Sequence, residues 1–145
     1  MTHRPTEAGL GPLFADALRL VRRDFYARTQ GLDLTPALAR LLLYIVREPR
    51  SRQIDLAVRL EVTAVTLGRM VDRLVERGYV ERLPDTEDRR AFRLRVTAAA
   101  EPLAARLEAI ATETRERALR GFSGPERKLL LQLLGRLRTN LDGEA

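Results

Sequence analysis

The hydrophobic period of the chain changes abruptly at residue 78, directly behind two short segments with helical spacing. These segments run from about Ser51 to Leu60 and from about Thr63 to Arg77, and each begins at a hydroxyl residue that can cap a helix. Because only Glu61 and Val62 separate them, the spacing predicts two short helices joined by a tight turn. Gly78, in the position where glycine commonly ends a helix, completes a pattern that is typical of a helix-turn-helix.

A short β-hairpin is predicted behind this glycine. Apolar and polar side chains alternate there with the period of two that a strand has: Ala91, Phe92, Arg93, Leu94, Arg95 and Val96. The segment from Tyr79 to Leu83 can pair with this strand, and the segment from Pro84 to Arg90 between them is polar and holds turn residues. We therefore expect a hairpin with one largely basic face and a charged tip.

Two further helices are predicted ahead of the helix-turn-helix. Apolar residues recur at spacings of three and four from Leu10 to Tyr26, which indicates an amphipathic helix. A second helix is expected from Thr35 to about Val46, because a hydroxyl can cap the helix and Pro36 suits its first position. Its almost wholly apolar run from Leu41 to Val46 is expected in the core.

The last third of the chain predicts two more helices with unusually large apolar surfaces. Behind a cap at Thr97, residues 98–120 would form a helix about 35 Å long. A small winged domain cannot cover that length, so another surface must cover its apolar stripe. Ser123 and Glu126 then form a predicted capping box, and leucines surround the helix that follows as far as Leu141. Burial on all sides is most easily achieved at a subunit interface.

The whole pattern predicts a mainly α protein with a small β-hairpin wing: a winged helix-turn-helix plus a helical dimerisation region. We expect residues 35–97 to form the winged helix-turn-helix and residues 8–30 and 98–142 to form the dimerisation region. Residues 1–145 are expected to form one domain, since the length suits one ordinary core.

The residue inventory argues against an enzyme. Cysteine is absent, the only histidine is His3 in an expected terminal tail, and the only lysine is Lys128. Disulfides, thiolate metal ligands and thiol-based redox sensing are thereby excluded, and no imidazole is available to activate a nucleophile within the body of the chain. We expect no catalytic site, no metal site and no cofactor.

The charge balance favours an anionic partner. The net charge is +6 and nearly all of the positive charge is arginine, and a basic surface gains affinity by displacing counterions from a phosphate backbone. The alternative is that arginine is frequent because of the nucleotide composition of the source genome. No apolar run approaches the ~20 residues of a membrane span, and the first ten residues lack a signal-peptide pattern, so we expect a soluble, cytoplasmic protein.

The chain resembles the MarR family of bacterial regulators over nearly its whole length. The matching motifs, in order, are Leu34-Thr35, Asp55 to Ala57, Arg69 to Leu74, Glu76 to Arg82, Asp88 to Arg90, and Thr97. Two others, Ala100 to Leu103 and Leu119 to Ser123, are most similar to its SlyA branch. The resemblance implies a homodimer that regulates transcription by binding a palindromic A·T-rich operator in double-stranded DNA, modulated by a small aromatic or lipophilic acid as effector.

The resemblance also implies that the helix from Thr63 to Arg77 enters the major groove. The expected contact residues on it are Thr63, Ala64, Thr66, Arg69 and Arg73, since small or hydroxyl side chains permit close approach and an arginine suits guanine edges or phosphate. Other interpretations stay open: Thr63 can be only a cap, and Arg73 and Arg77 can be solvated residues paired with Asp72, Glu76 or Glu81. The core side of the same helix is expected to consist of Val65, Met70, Val71 and Leu74.

At the hairpin tip the resemblance assigns DNA contact to Asp88, Arg89 and Arg90. Arg90 would enter a narrow minor groove, whose negative potential attracts a guanidinium, and Asp88 would orient it through a charge-assisted bond. The alternative is a solvated, self-neutralising loop of Asp85, Glu87, Asp88, Arg89 and Arg90.

Two departures from the family concern its contacts. Gly68 stands where relatives carry a side chain, so either the backbone approaches DNA closely there or one contact is lost. Leu41, Leu42 and Leu43 stand where many relatives have tryptophan, which leaves the effector-binding residues unassigned.

The competing hypothesis is a winged-helix protein-protein adaptor without DNA binding. An adaptor would not need a basic set on one face, and the residues expected to form that set are Arg69, Arg89, Arg90, Arg93 and Arg95.

Overall fold

Six α-helices and one β-hairpin follow one another in the described part of the chain, residues 6–143 of a computed structural model. The helices are α1 (Leu10–Arg28), α2 (Pro36–Arg47), α3 (Gln53–Leu60), α4 (Ala64–Glu76), α5 (Glu101–Ala118) and α6 (Gly124–Asp142). The strands are β1 (Val80–Pro84) and β2 (Phe92–Val96), and short 3-10 turns occupy Glu7–Gly9 and Ala98–Ala100. His3 lies outside the described residues.

The core forms around α2, as its apolar run predicts. Leu41 and Leu42 are completely buried, and α2 packs against α3, α4, β2 and α5. The inner faces of these elements supply the other large buried side chains: Leu56, Leu67, Val71, Leu74, Leu94, Leu107 and Ile110. The helix-turn-helix and the start of the C-terminal helices therefore share one hydrophobic core.

The caps predicted from hydroxyl residues form at three helices. The Oγ1 of Thr35 accepts the N–H of Leu38, and the Oγ1 of Thr63 accepts the N–H of Thr66 at 3.0 Å. Ser123 and Glu126 form the reciprocal bonds of the capping box. Each bond satisfies an N–H that would otherwise lack a partner in the first turn.

Two expected caps are wrong. α3 begins at Gln53 instead of Ser51, and the Ser51 hydroxyl donates to the carbonyl oxygen of Glu48. Thr97 precedes a 3-10 turn, and its hydroxyl donates to the carbonyl oxygen of Gly78, which joins the two ends of the hairpin. In both cases the hydroxyl donates to a carbonyl oxygen earlier in the chain instead of capping a helix.

The hairpin is tied to the helix-turn-helix by a third stretch of backbone. β1 and β2 are antiparallel, with Val80 opposite Val96 and Pro84 opposite Phe92. Arg52 forms an isolated bridge with Arg93; the N–H of Arg50 donates to the carbonyl oxygen of Leu94, and the N–H of Leu94 donates to that of Ser51. Because residues 50–52 lead directly into α3, the wing and the helix-turn-helix have a fixed relation.

α1 and α6 expose most of their apolar side chains in the single chain. No residue of α6 is buried, and the large exposed apolar residues of the two helices are Leu10, Leu13, Phe14, Leu18, Leu20, Val21, Leu129, Leu131, Leu133, Leu134 and Leu141. The apolar stripe of α5 was expected to need another surface to cover it, but the chain itself covers part of this stripe. Leu107 and Ile110 are buried within the chain, where α5 packs on α1 and α2.

Within residues 6–143, no helix combines the length and the apolar character that crossing a membrane requires.

Candidate nucleic-acid interface

α4 presents one face to the core and the opposite face to solvent. Leu67, Val71 and Leu74 point inward and are completely buried. Of the predicted contact residues, Thr63, Ala64, Thr66, Arg69 and Arg73 are all exposed. The structure thus brings the five predicted major-groove residues to the solvent side of one helix.

The prediction that Val65 belongs to the core side of α4 is wrong. Its side chain is 66% exposed, whereas Met70 is partly buried and packs against the core as expected. Residues i and i+4 lie on one helix face, so Val65 shares the outward face with Arg69. An apolar side chain therefore lies among the polar candidates.

The outward arginines of α4 have no acidic partner among the described residues. The structure places no carboxylate of residues 6–143 within salt-bridge distance of Arg69 or Arg73. Arg77 does have a partner, but it is Asp33 in the loop before α2 instead of Asp72, Glu76 or Glu81. The alternative in which Arg73 is a solvated residue paired with a nearby carboxylate is therefore not supported within residues 6–143.

The wing tip holds Asp88 and Arg90 together through the backbone. The Oδ1 of Asp88 accepts the backbone N–H of Arg90 at 2.9 Å, which closes a local turn. The expected bond between the carboxylate and the guanidinium is not present in the described part of the chain. The side chains of Arg89 and Arg90 are exposed and have no carboxylate partner within residues 6–143.

Asp85 does not belong to a solvated loop, contrary to the alternative considered for the hairpin tip. It is only 6% exposed, and its Oδ2 lies 2.8 Å from Arg52 Nε and 3.0 Å from Arg93 Nε. Its Oδ1 accepts the backbone N–H groups of Glu87 at 2.8 Å and Asp88 at 3.2 Å. One buried carboxylate thus binds the tip, β2 and the residue that precedes α3.

These bonds affect the acidity of Asp85. The N–H of Glu87, together with the N–H of Asp88 and the guanidinium of Arg52, stabilises the charged form and lowers the pKa of the carboxyl group below its ordinary value, although burial opposes this. The carboxylate is therefore ionised at neutral pH and holds both arginines. Sequence reasoning missed this site because the partners are 33 residues apart.

Two members of the predicted basic set are occupied within the chain. Arg93 binds Asp85 and the carbonyl oxygen of Arg50, and Arg95 binds Glu81 at 2.6 Å. These pairs leave only Arg69, Arg89 and Arg90 of the predicted five without an acidic partner in the described residues. The unpaired part of the predicted basic set is therefore smaller than the sequence indicates, and it lies on α4 and the wing tip.

Gly68 faces α3. A Cβ built on it would meet the Nε2 of Gln53 at 3.6 Å, an ordinary van der Waals distance. Its carbonyl oxygen accepts a bond from Arg82, which also pairs with Asp72 at 2.7 Å. Gly68, the position without a side chain, therefore lies where α4 contacts α3 and β1.

The wing and α4 border one cleft. A cavity of about 140 Å³ is lined by Arg52, Gln53, Ile54, Ala64, Arg90, Ala91 and Phe92. Ala64 opens α4 and Arg90 ends the wing tip, so the two candidate DNA-contacting elements lie on the same side of the molecule. Among residues 6–143, no group of three potential ligands is arranged to hold a metal ion.

A helix-turn-helix whose second helix and adjacent hairpin share one exposed basic side defines a winged-helix DNA-binding protein. Comparison with known proteins agrees with this class. The family model described as the MarR family matches residues 32–91. A structure of MarR is 32% identical, with a TM-score of 0.70, and the match covers 91% of this chain and 96% of that one. The chain therefore belongs to the MarR family of transcription regulators, which are not enzymes.

Two further solved structures extend the comparison. The transcriptional regulator PA3341 is 35% identical, with a TM-score of 0.84, over 93% of this chain and 99% of that one. A cysteine-to-serine variant of MarR from E. coli in complex with operator DNA is 26% identical, with a TM-score of 0.70, over 88% of this chain and 92% of that one. SlyA matches at 22% identity, which shows the fold alone, so a particular closeness to the SlyA branch stays a prediction.

Proposed function

We propose that this chain acts in the cytoplasm as a homodimeric regulator that binds a palindromic, A·T-rich operator. The observation that carries the proposal is the position of the unpaired arginines. Arg69 and Arg73 on α4 and Arg89 and Arg90 on the wing have no carboxylate partner among residues 6–143, while most arginines elsewhere on the winged domain are paired within the chain. Free guanidinium groups on one side suit a phosphate backbone.

The proposed division of roles follows from the shape of each element. α4 is a straight helix with small residues at its exposed N-terminal end, which suits insertion into the major groove. The wing tip carries two adjacent exposed arginines on a narrow turn, which suits a minor groove narrowed by A·T pairs. Thr63, Ala64, Thr66, Arg69 and Arg73 are thus assigned to the first contact, and Asp88, Arg89 and Arg90 to the second.

The proposal of a homodimer rests on the exposed apolar faces of α1 and α6. A groove of about 560 Å³ between the start of α1 and the end of α6 is lined mainly by Leu10, Phe14, Leu133, Leu137 and Leu141. Contiguous exposed apolar faces on a globular chain mark interaction sites, and a second copy supplies matching leucines through two-fold symmetry. The dimer in turn explains why the operator should be palindromic.

The effector remains part of the proposal, because the family implies a small aromatic or lipophilic acid. A groove of about 770 Å³ beside α1 has a largely apolar lining that includes Leu18, Tyr26 and Pro36, and Arg22 and Arg23 border it. Such a lining suits an apolar body with one carboxylate. If benzoate and decanoate both leave DNA binding unchanged at millimolar concentration, this part of the proposal is wrong.

The test of DNA binding is selection from a randomised duplex pool by the purified protein, followed by footprinting on the enriched duplex. We expect a two-fold symmetric, A·T-rich protected site whose half-site centres lie about 34 Å apart, one helical turn. Affinity should fall steeply with salt, because several arginines displace counterions together. Enrichment of no sequence, with no protected region, would instead favour the adaptor hypothesis.

A further inference from the structure

Val65 is one of the two most exposed large apolar residues of the described winged domain. Its side chain is 66% exposed, on a helix whose inner face already supplies three completely buried apolar residues. Leu74 lies nine residues further on, which at about 100° per residue places it on the opposite side of α4. The isopropyl group of Val65 therefore does not pack in the core, and residues 6–143 leave most of it exposed.

Helix formation does not explain this valine either. A β-branched residue at an exposed helix position loses side-chain entropy relative to alanine and gains no packing in return. Thr66 follows Val65 directly, Arg69 lies one helical turn later, and both are exposed. Both can form hydrogen bonds to DNA, and Val65 stands between the N-cap and Arg69, in the part of a recognition helix that contacts base edges.

We infer that Val65 reads a thymine in each half-site through the C5-methyl group. This inference rests on the proposed role of α4 as the recognition helix. In the major groove the thymine methyl is the apolar feature that distinguishes one base pair from the others, so an exposed aliphatic side chain there has one matching partner. A phosphate group would gain nothing from an isopropyl group.

Another exposed valine provides a contrast. Val58 on α3 is 75% exposed, but it borders a groove whose lining includes Glu48, Asp55 and Glu87. The three arginines of the same lining, Arg52, Arg59 and Arg93, are each paired with a carboxylate within the chain, so this groove offers no free guanidinium to a phosphate backbone. Val58 is therefore a matched control, because Val58→Ala removes the same atoms from the same domain without touching the proposed interface.

The experiment uses the full chain and the duplex that the wild-type protein enriches from the randomised pool. Each thymine of the half-site is replaced in turn by uracil, which lacks only the methyl group. We expect one position at which uracil weakens wild-type binding about fourfold per half-site, and about 15-fold when both half-sites are changed, from the usual value of burying one methylene-sized group.

Val65→Ala should weaken binding to the thymine duplex by at least as much and should bind thymine and uracil duplexes equally at that position. Val58→Ala should retain the wild-type affinity and the wild-type sensitivity to uracil. Val65→Thr, which keeps one methyl and the same shape, should retain part of the discrimination. Unfolding does not confuse this comparison, because alanine at an exposed helix position stabilises the helix slightly.

The outcomes separate this inference from the proposed function. If the wild-type protein enriches a palindrome but binds every uracil duplex as it binds thymine, the inference is overturned. It is also overturned if Val65→Ala keeps the uracil sensitivity of the wild type. Failure to enrich any sequence would instead contradict the proposed function itself.

Discussion

At the scale of single residues, Asp85 determines more of the site than any of the residues that face outward. Its carboxylate pairs with Arg52 and Arg93 and accepts two N–H groups of the tip, so it positions the turn that carries Arg89 and Arg90. A buried charge that loses its partner is costly, because the remaining charges are left without compensation. The orientation of the wing is therefore expected to depend on Asp85.

Replacing Asp85 by asparagine should lower the thermal unfolding midpoint and weaken DNA binding at neutral pH. Folding lowers the pKa of this carboxyl group, so its stabilisation is present at neutral pH and is lost as the pH falls through the folded-state pKa. The melting curves of the wild type and Asp85→Asn should therefore converge in acid, as the pH falls below the ordinary aspartate range. Circular dichroism melts across this pH range provide the measurement.

Glu87→Gln is the control for this prediction. Glu87 also binds Arg52, at 3.1 Å, but its side chain is 78% exposed and the pair is screened by solvent. Its loss should therefore change stability little. Equal losses of stability in Asp85→Asn and Glu87→Gln would show that burial does not increase the contribution of Asp85 to stability.

Gly68→Ala should raise the stability of the protein by up to about 1 kcal/mol, because alanine forms helix better than glycine and the new Cβ meets only the end of the Gln53 side chain. Gly78→Ala is the contrasting variant, since Gly78 has a φ of +73° that disfavours a side chain. Urea unfolding curves compare the two. A loss of stability in Gly68→Ala would mean that the contact with α3 is tighter than the structure indicates.

Arg69→Ala and Arg90→Ala should weaken binding in different ways. If two guanidinium nitrogens of Arg69 donate to one guanine, the loss of this side chain costs about 1–3 kcal/mol of binding free energy and relaxes the preference at one base position in each half-site. Arg90 acts through groove width, so its loss should weaken binding most where the outer flank is A·T-rich. Affinities for a panel of single-base and flank variants of the selected duplex measure both effects.

If Arg69→Ala and Arg90→Ala lose the same affinity for every duplex in the panel, each arginine contacts only phosphate. The assignment of separate grooves to α4 and the wing would then be wrong.

Residue-scale prediction from sequence succeeded where the cause is local. The caps at Thr35, Thr63 and Ser123 form because a hydroxyl two or three residues ahead of a free N–H is sufficient for the bond. It failed at Val65, because apolarity alone does not show which side of a helix a residue near the N-cap faces. It also failed at Asp85, because its partner Arg52, just ahead of α3, lies 33 residues earlier in the chain.

At the scale of elements, the order of helices and the hairpin could be predicted, since each period extends over many residues. The start of α3 could not, because residues 50–52 pair with β2 and this long-range pairing delays the helix until Gln53. Arg50 adopts a φ of +65° at this point, which no local pattern indicates for an arginine. Tertiary pairing therefore overrides the local signal at the junction between the wing and the helix-turn-helix.

The turn at the wing tip provides a prediction for this element. Asp88→Ala removes the acceptor of the Arg90 N–H, so it should loosen the turn and resemble Arg90→Ala in DNA binding, although it removes a negative charge. Asp88→Asn keeps an oxygen in the same position and should bind nearly as the wild type does. Fluorescence anisotropy on the selected duplex measures all three variants.

A different result would change the assignment of Asp88. If Asp88→Ala and Asp88→Asn both tighten binding uniformly across sequences, Asp88 is only a repulsive surface charge. The backbone bond to Arg90 would then have no part in recognition.

At the scale of the whole molecule, one part of the chain has a packed core and another part has exposed apolar helix faces. The winged domain and α5 bury most of their leucines, whereas α1 and α6 leave large leucines and a phenylalanine in solvent. A sequence can show that α6 has leucines on nearly all sides, but only the packing of the chain shows that α5 is already covered. The expected dimerisation surface is therefore narrowed to α1 and α6.

Leu133→Glu should convert the proposed dimer into monomers or aggregates and should abolish tight operator binding. Leu133 lines the groove between α1 and α6, where an uncompensated carboxylate cannot be buried without a large penalty. A monomer contacts one half-site, so it loses the gain in affinity that two linked contacts provide. Sedimentation equilibrium measures the association state, and titration of the selected duplex measures binding.

Gln132→Glu is the matched control, because it adds the same charge at a neighbouring exposed position that points away from the leucine groove by about 100°. It should leave the dimer intact and reduce DNA affinity only slightly. Removing residues from Ser123 onward should have a stronger effect than Leu133→Glu and yield insoluble or unfolded protein, since it exposes the whole face of α1. A soluble, folded monomer after that truncation, or a wild-type chain that sediments as a monomer at micromolar concentration, would contradict the proposed dimer and the two-fold operator that depends on it.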